Sequence, residues 1–140
     1  MSQPSTSGSM SPRETVMAMY NGLLTSDREV LQAVTHPDIE IHVTEELPYG
    51  GDYRGLANFQ DLFRNTFGLI RSTIEIENVF DAGSRVVAVG RTRGNGNATG
   101  QYFDSAIVHV LTVENGMIVR FDAFVEDAPI AAAIHGTPEG

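Results

Sequence analysis

A run of alternating apolar and polar residues fills the second half of the chain and restricts the fold more than any other feature. Four segments have the two-residue period that is typical of half-buried strands. They are Thr73 to Phe80, Arg85 to Arg93, Gln101 to Val113 and Met117 to Glu126. Asn115 and Gly116 favour a type I′ turn between the last two. We therefore predict a four-stranded antiparallel run, with a bulge near Asn78 where the alternation slips.

Helices are predicted before this run, because apolar residues recur there at helical spacing. The predicted helices are Arg13 to Leu24, a short segment that begins after Ser26 or Asp27, and Leu56 to Phe67. Ser11 is the expected N-cap of the first, with Pro12 at its first position. A strand, Ile39 to Thr44, lies between the second and third helices, and a short Ala-rich segment, Ile130 to Ile134, closes the domain. Strands grouped after helices indicate an α+β fold.

The composition limits the class of protein. A length of 140 residues fits a single domain, which we place at 13–135 between tails at 1–12 and 136–140. The net charge of −9 disfavours nucleic acid and anionic membranes as partners. No cysteine is present, so disulfides and thiolate metal sites are excluded. We expect a cytoplasmic protein that contains no metal and no cofactor.

Two stretches carry a resemblance to a known family. The sequence "ELPYGGDYRG" before an aromatic-rich helix, followed later by "HVLTVENGMIVRFDAF", resembles the SnoaL-like polyketide cyclases of the nuclear transport factor 2-like superfamily. The superfamily also includes ketosteroid isomerases and limonene epoxide hydrolases. The resemblance implies a cone-shaped domain, in which a curved antiparallel sheet packs on three helices around a ligand cavity. It also implies a homodimer formed through the outer face of the sheet.

The resemblance also bears on site residues. The oxyanion-hole aspartate of the isomerases matches Val108, and the last-strand aspartate of the cyclases and epoxide hydrolases matches Ala123, so by this alignment the chain lacks both acids. The general base of the isomerases matches either Val43 or Glu46. Their first-helix tyrosine matches Tyr20 or Met19.

The segment from His42 to Gly55 holds a second group of candidates. Glu46 and Tyr49 lie where the resemblance places the mouth of the cavity, and they could supply an acid or base with a tyrosine donor beside it. The alternative is that Pro48 and the two following glycines form a turn whose glutamates are solvated. His42 shares a strand face with Glu40, either as a substrate contact or as part of a surface pair.

His109 and Asp122 are the most specific pair of candidates. A tight Asn-Gly turn makes residues whose numbers sum to about 231 cross-strand partners, so these two side chains are expected to face each other. They would form an acid/base dyad if that face lines the cavity, and a surface or interface pair if it does not. A bulge near the turn would decide between these alternatives.

These features predict a cofactor-free enzyme that uses side-chain acid/base catalysis on a lipophilic polyketide-like or terpenoid-like molecule. It would act as a cyclase, an isomerase or an epoxide-opening hydrolase. The alternative is a non-catalytic protein that binds a lipophilic ligand or dimerises. The candidate catalytic residues are Glu46, His109, Asp122, Tyr20 and Tyr49. The candidate substrate-binding residues are His42, Phe63, Val108, Phe121 and Ala123.

Overall fold

The structure, a computed structural model, describes residues 11–136, which form four helices and six strands. In chain order the elements are α1 (Pro12–Thr25), α2 (Arg28–Val34), β1 (Thr35–Val43), β2 (Gly51–Arg54), α3 (Leu56–Phe67), β3 (Ile70–Ala82), β4 (Arg85–Gly96), β5 (Tyr102–Glu114), β6 (Met117–Val125) and α4 (Asp127–His135). No helix in this part of the chain is long and apolar enough to span a bilayer. The predicted tails lie outside the described residues, except for residues 11, 12 and 136.

The start of α1 is determined by local hydrogen bonds that the sequence predicts. The Glu14 amide donates to Ser11 Oγ at 3.1 Å, and the Ser11 amide donates to the Glu14 carboxylate at 2.9 Å. This reciprocal pair is a capping box, with Pro12 at the first helical position. The Asp27 side chain caps α2 in the same manner, by accepting from the Val30 amide at 3.2 Å.

The six strands form one curved, open sheet in the order β2-β1-β6-β5-β4-β3. The predicted α+β class is confirmed. The expectation of a wholly antiparallel sheet is wrong, because β1 pairs with β6 in parallel. The expectation of three helices is also wrong among the described residues, because the Ala-rich segment forms the fourth helix, α4. The short strand β2 was not predicted, since its four residues follow a glycine pair and show only one alternation.

One face of the sheet, called here the inner face, packs against the helices and forms the core. Ile107 and Leu111 of β5 point to this face, together with Val86 of β4. The helices cover them with side chains such as Met19 of α1 and Phe59 of α3, both almost fully buried. The alternate side chains of the strands point to the opposite side, called here the outer face.

A bulge in β6 determines which side chains reach the inner face. Asn115 and Gly116 both have positive φ, as a type I′ turn requires. Beside this turn Val113 pairs with Ile118, but the next ladder pair is Thr112 with Arg120. Val119 is therefore an extra residue, and it shifts the register of everything beyond it. The predicted pairing of His109 with Asp122 is wrong for this reason.

A second bulge lies in β3, between Ile76 and Asn78, where the slipped alternation predicts one. Beside it, the Glu75 carbonyl approaches Gly90 of β4 so closely that a Cβ at Gly90 would lie 1.9 Å from the Glu75 oxygen. Only a glycine permits this approach, because backbone atoms cannot move aside as a flexible side chain can.

Gly90→Ala should therefore destabilise the protein. The added methyl group must separate β3 from β4, and we expect a loss of at least about 2 kcal/mol in the free energy of unfolding. Denaturant unfolding measures this loss. Gly68→Ala is the control, because a Cβ there would meet backbone atoms only at 3.4 and 3.5 Å. Equal stability of Gly90→Ala and the wild type would contradict the close approach.

Candidate active site

A cavity of about 130 Å³ lies between the inner face and the helices. Its walls are mainly apolar, and they come from the helices and from strands on both sides of β5. The apolar wall includes Leu23, Ile41, Val43, Phe59, Leu62, Ile70, Ile74, Ile107, Phe121, Ala123, Val125 and Ile130. Among the described residues that line it, no aspartate, glutamate, lysine or arginine is present. The wall therefore has few polar groups, and these groups determine which chemistry the cavity can support.

Tyr20 and His109 form the main polar contact of this cavity. Tyr20 lies on α1 and His109 on β5, and the tyrosine hydroxyl is 2.6 Å from His109 Nδ1. The rings are stacked, with centroids 5.9 Å apart and an angle of 17° between their planes. The β6 bulge explains this position of His109, because it aligns the imidazole with the inward side chain of Ala123.

Burial makes both members of this pair neutral. Desolvation lowers the pKa of His109 to about 4 and raises the pKa of Tyr20 well above its usual range. Both shifts disfavour the charged form, which is the effect of a low-dielectric environment that contains no compensating charge. At neutral pH the pair therefore holds one mobile proton on the phenol and one on the imidazole.

Aromatic packing holds the imidazole in place. The ring of Phe121 lies 4.8 Å from the ring of His109 at an angle of 59°, and Phe59 contacts Phe121 edge-on at 6.0 Å. Ala123, directly across the ladder from His109, is small and leaves space beside the imidazole. His109 Nε2 has no hydrogen-bond partner among the described residues, so it is free to contact a ligand.

Tyr49 also belongs to the wall, whereas Glu46 does not. The turn after β1 brings the Tyr49 ring inward, and burial raises its pKa to about 12. The Tyr53 hydroxyl donates to the Tyr49 carbonyl at 2.7 Å and helps to position this segment. Glu46 is exposed on the same turn, and its amide donates to Thr44 Oγ1 at 3.3 Å. The placement of Glu46 at the cavity is therefore wrong.

Asp122, His42 and Val108 point to the outer face, because each lies one residue away from an inward position. Asp122 accepts two hydrogen bonds from Arg120, at 2.9 and 3.0 Å. His42 Nδ1 lies 2.7 Å from a carboxylate oxygen of Asp52 on β2. The predicted roles of these three residues in the cavity are not compatible with these positions.

Ion pairs elsewhere on the outer face also account for arginines that could have held a ligand carboxylate. Arg91 and Arg93 donate to the two oxygens of Asp104 at 2.6 and 3.0 Å, and these bonds lower the pKa of Asp104. A wide, open groove of about 300 Å³ on this face is lined partly by Glu40 and Arg120, which pair with each other at 3.0 Å. Asp52, which also lines the groove, contacts His42, and Arg54 forms no ion pair with another described residue.

Sequence analysis missed three hydroxyl groups of the cavity wall, on Thr66, Ser72 and Thr92. The signal was present, because Thr92 continues the alternation of Val86 and Ala88 on the inner side of β4. The side chain of Phe63 is not among the described ones. No cluster of three His, Asp or Glu residues within residues 11–136 is suited to bind a metal ion.

This geometry, a curved sheet with helices and a cavity on one face, defines an NTF2-like fold. An NTF2-like protein from Burkholderia thailandensis E264 is 28% identical, with a TM-score of 0.83 over 89% of this chain and 97% of that one. TerC, co-crystallised with polyporic acid, is 22% identical, with a TM-score of 0.80 over 89% and 98%. IdmH from Streptomyces antibioticus, described as a candidate polyketide cyclase, is 20% identical, with a TM-score of 0.72 over 89% and 98%.

The family of this chain follows from a comparison of its sequence with family models. A sequence model of the SnoaL-like domain matches residues 16–121, which is well over half of the chain. The chain therefore belongs to the SnoaL-like domain family, and the resemblance identified from the sequence is confirmed. A comparison with curated proteins finds no match.

The buried, neutral His109 should make stability depend on pH. Its pKa is about 4 in the folded protein against 6.5 ordinarily, so below pH 6.5 the unfolded chain binds a proton that the folded protein excludes. Stability should fall as the pH drops from 6.5 to 4, by on the order of 3 kcal/mol from this group.

Denaturant unfolding at a series of pH values measures this loss. His109→Gln is the comparison, because glutamine cannot titrate while the other titratable groups remain. The wild type should lose more stability than His109→Gln over this interval. Parallel curves would show that His109 is not buried as a neutral group.

Proposed function

We propose that this protein is an enzyme of the isomerase or cyclase type, which moves a proton between carbon and oxygen of a small, uncharged ketone. The hydrogen bond between Tyr20 and His109 in an otherwise apolar cavity carries this proposal. Its basis is that the pair can exchange protons with a ligand in both directions while it remains neutral.

The reaction would proceed as a relay. In the starting tautomer His109 Nδ1–H donates to the Tyr20 oxygen, and Nε2 has a free lone pair. Nε2 takes a proton from the carbon next to the ketone, the Tyr20 hydroxyl gives its proton to the ketone oxygen, and Nδ1–H restores the phenol. The C–H bond breaks and an O–H bond forms. When the enol is released, His109 is in the opposite tautomer, with its proton on Nε2.

The neutrality of the cavity supports this relay over a stepwise mechanism. A stepwise proton transfer would leave an imidazolium and an enolate in a cavity whose described lining contains no charged side chain to stabilise either. The relay creates no net charge, so the burial that disfavours charged forms of His109 and Tyr20 does not oppose it. Tyr49 could add a further donor to the ketone oxygen from the opposite wall.

An enol is the reactive species in both isomerisation and ring closure. We therefore favour these reactions over epoxide opening. Epoxide opening requires an acid and a base that activates water, and the described lining includes no carboxyl group. The likeness to TerC, crystallised with polyporic acid, and to IdmH is consistent with a small organic ligand. The cytoplasmic location stays a prediction.

Deuterium exchange into 2-tetralone, a neutral bicyclic ketone, tests the relay directly. The protein in D₂O should accelerate exchange of the protons next to the carbonyl, as followed by proton NMR. Tyr20→Phe and His109→Gln should each reduce the acceleration about 10²-fold, the effect of one general acid or base.

Tyr102→Phe and His135→Gln are matched controls, because both residues are exposed and lie outside the cavity. They should exchange as fast as the wild type. Exchange at the rate of buffer alone, with 2-tetralone shown to be bound, would remove the catalytic proposal.

That outcome would leave the second candidate, a non-catalytic protein that binds a lipophilic ligand. The observation that favours it is the apolar wall, together with a His109 pKa of about 4, which makes the imidazole a weak base. The ketone would then bind without any exchange above that of buffer, and Tyr20→Phe would change its affinity alone.

The outer face supports the homodimer that the sequence predicts. Phe80, Val108 and Phe124 are exposed there at 54, 36 and 51%, and aromatic and branched side chains in such a patch are typical of interfaces. The ion pairs of Asp104 lie beside them on the same face.

Phe124→Lys should therefore shift the protein from dimer to monomer, because a buried lysine at the interface has no partner. Sedimentation equilibrium over a range of concentrations measures this shift. Leu24→Lys is the control, since Leu24 is exposed on α1, away from the outer face. A monomeric wild type at all concentrations would contradict the dimer.

A further inference from the structure

Hydroxyl groups form a second polar region of the cavity, separate from Tyr20 and His109. Thr92 is 7% exposed, lines the cavity, and its hydroxyl has no hydrogen bond to another described residue. Ser72 lies diagonally across the ladder from Thr92 and also lines the cavity. A hydroxyl that lines a cavity without a protein partner is available to hydrogen-bond a ligand.

Ser105 provides an independent observation at the same place. It is the direct cross-strand partner of Thr92, it is fully buried, and its hydroxyl has no hydrogen-bond partner. A buried hydroxyl without a partner is costly, and Ser105 lies directly beside Thr92 just behind the cavity wall. This end of the cavity therefore has unused capacity for hydrogen bonds.

The ladder sets the distance between the two polar regions. His109 pairs with Ala88 and Thr92 pairs with Ser105, so the regions are four residues apart along the same face. At about 3.3 Å per residue this is roughly 13 Å. With a contact of about 3 Å at each end, roughly 7 to 10 Å remains between the reacting end of the ligand at His109 and Tyr20 and a second oxygen at Thr92.

The charge of the wall restricts the second oxygen. None of the described residues that line the cavity carries a full charge. Arg91 and Arg93 of β4 point to the outer face, where they bind Asp104. A carboxylate or phosphate at Thr92 would be buried without a counter-charge. The second oxygen therefore belongs to a neutral group.

We infer that Thr92 is a specificity residue that binds a neutral hydroxyl or carbonyl oxygen at the far end of the substrate. The substrate class is an uncharged, elongated, mainly apolar ketone with oxygen at both ends, about two fused rings long. This inference rests on the proposed function, because it takes His109 as the residue that receives the ketone end.

A matched pair of ketones tests it: 2-tetralone and 6-hydroxy-2-tetralone, which differ only in a hydroxyl at the far end of two fused rings. NMR titration gives the dissociation constant of each. The wild type should bind the hydroxylated ketone about fivefold more tightly, the effect of one neutral hydrogen bond. Thr92→Val, which removes the hydroxyl and keeps the shape, should abolish this preference.

Two further variants distinguish a specific contact from a structural effect. Thr92→Ser keeps the hydroxyl and should keep the preference. Thr73→Val makes the same threonine-to-valine change at an exposed position of β3 and should have no effect. A Thr92→Val variant that binds both ketones equally worse would show a packing role and overturn the inference.

The outcomes separate this inference from the proposed function. Equal binding of both ketones by the wild type, with deuterium exchange still dependent on His109, overturns the role of Thr92 alone. Preference for the hydroxylated ketone without exchange supports Thr92 and overturns the relay. Failure to bind either ketone overturns both.

Discussion

The hydrogen bond between Tyr20 and His109 joins the two layers of the structure at the point where chemistry is possible. It connects α1 to the central strand of the sheet across an apolar space, and its two partners are uncharged because that space is apolar. Phe121 packs against the imidazole and Phe59 packs against Phe121, and this packing holds the contact in place. Fold stability and site chemistry thus depend on the same buried side chains.

The two faces of the sheet carry different kinds of polar group. The outer face carries ionised side chains that neutralise one another, such as Arg120 with Glu40 and Arg91 with Asp104. Around the cavity, the described residues of the inner face carry only neutral donors and acceptors. Because period-two alternation places adjacent residues on opposite faces, this separation follows from single-residue register. It favours chemistry that moves protons without creating lasting charge.

The sequence predicted the features that local rules determine. The capping box at Ser11, the type I′ turn at Asn115 and the bulge near Asn78 depend on neighbours in the chain, and the structure agrees with each. Tyr20 and Tyr49 became candidates through the family resemblance, and His109 through its position in the last hairpin. Their catalytic roles stay proposals.

The parts that the sequence did not predict depend on contacts between distant segments. The parallel pairing of β1 with β6 brings together segments about 80 residues apart, and no local pattern specifies it. The extra residue at Val119 has no signature in composition, yet it exchanged Asp122 for Ala123 opposite His109. Thr92 and Ser105 were missed because isolated hydroxyls on a strand are ordinarily surface residues.

The bulge at Val119 also has an evolutionary meaning. A hairpin of regular register would place a carboxylate beside the imidazole, whereas one inserted residue places a methyl group there instead. An insertion or deletion of a single codon near the turn would thus exchange the β6 side chains that face the cavity, and with them an ionic pair for a neutral one. A change of one residue in the length of this hairpin can therefore change the chemistry of the cavity while the fold stays the same.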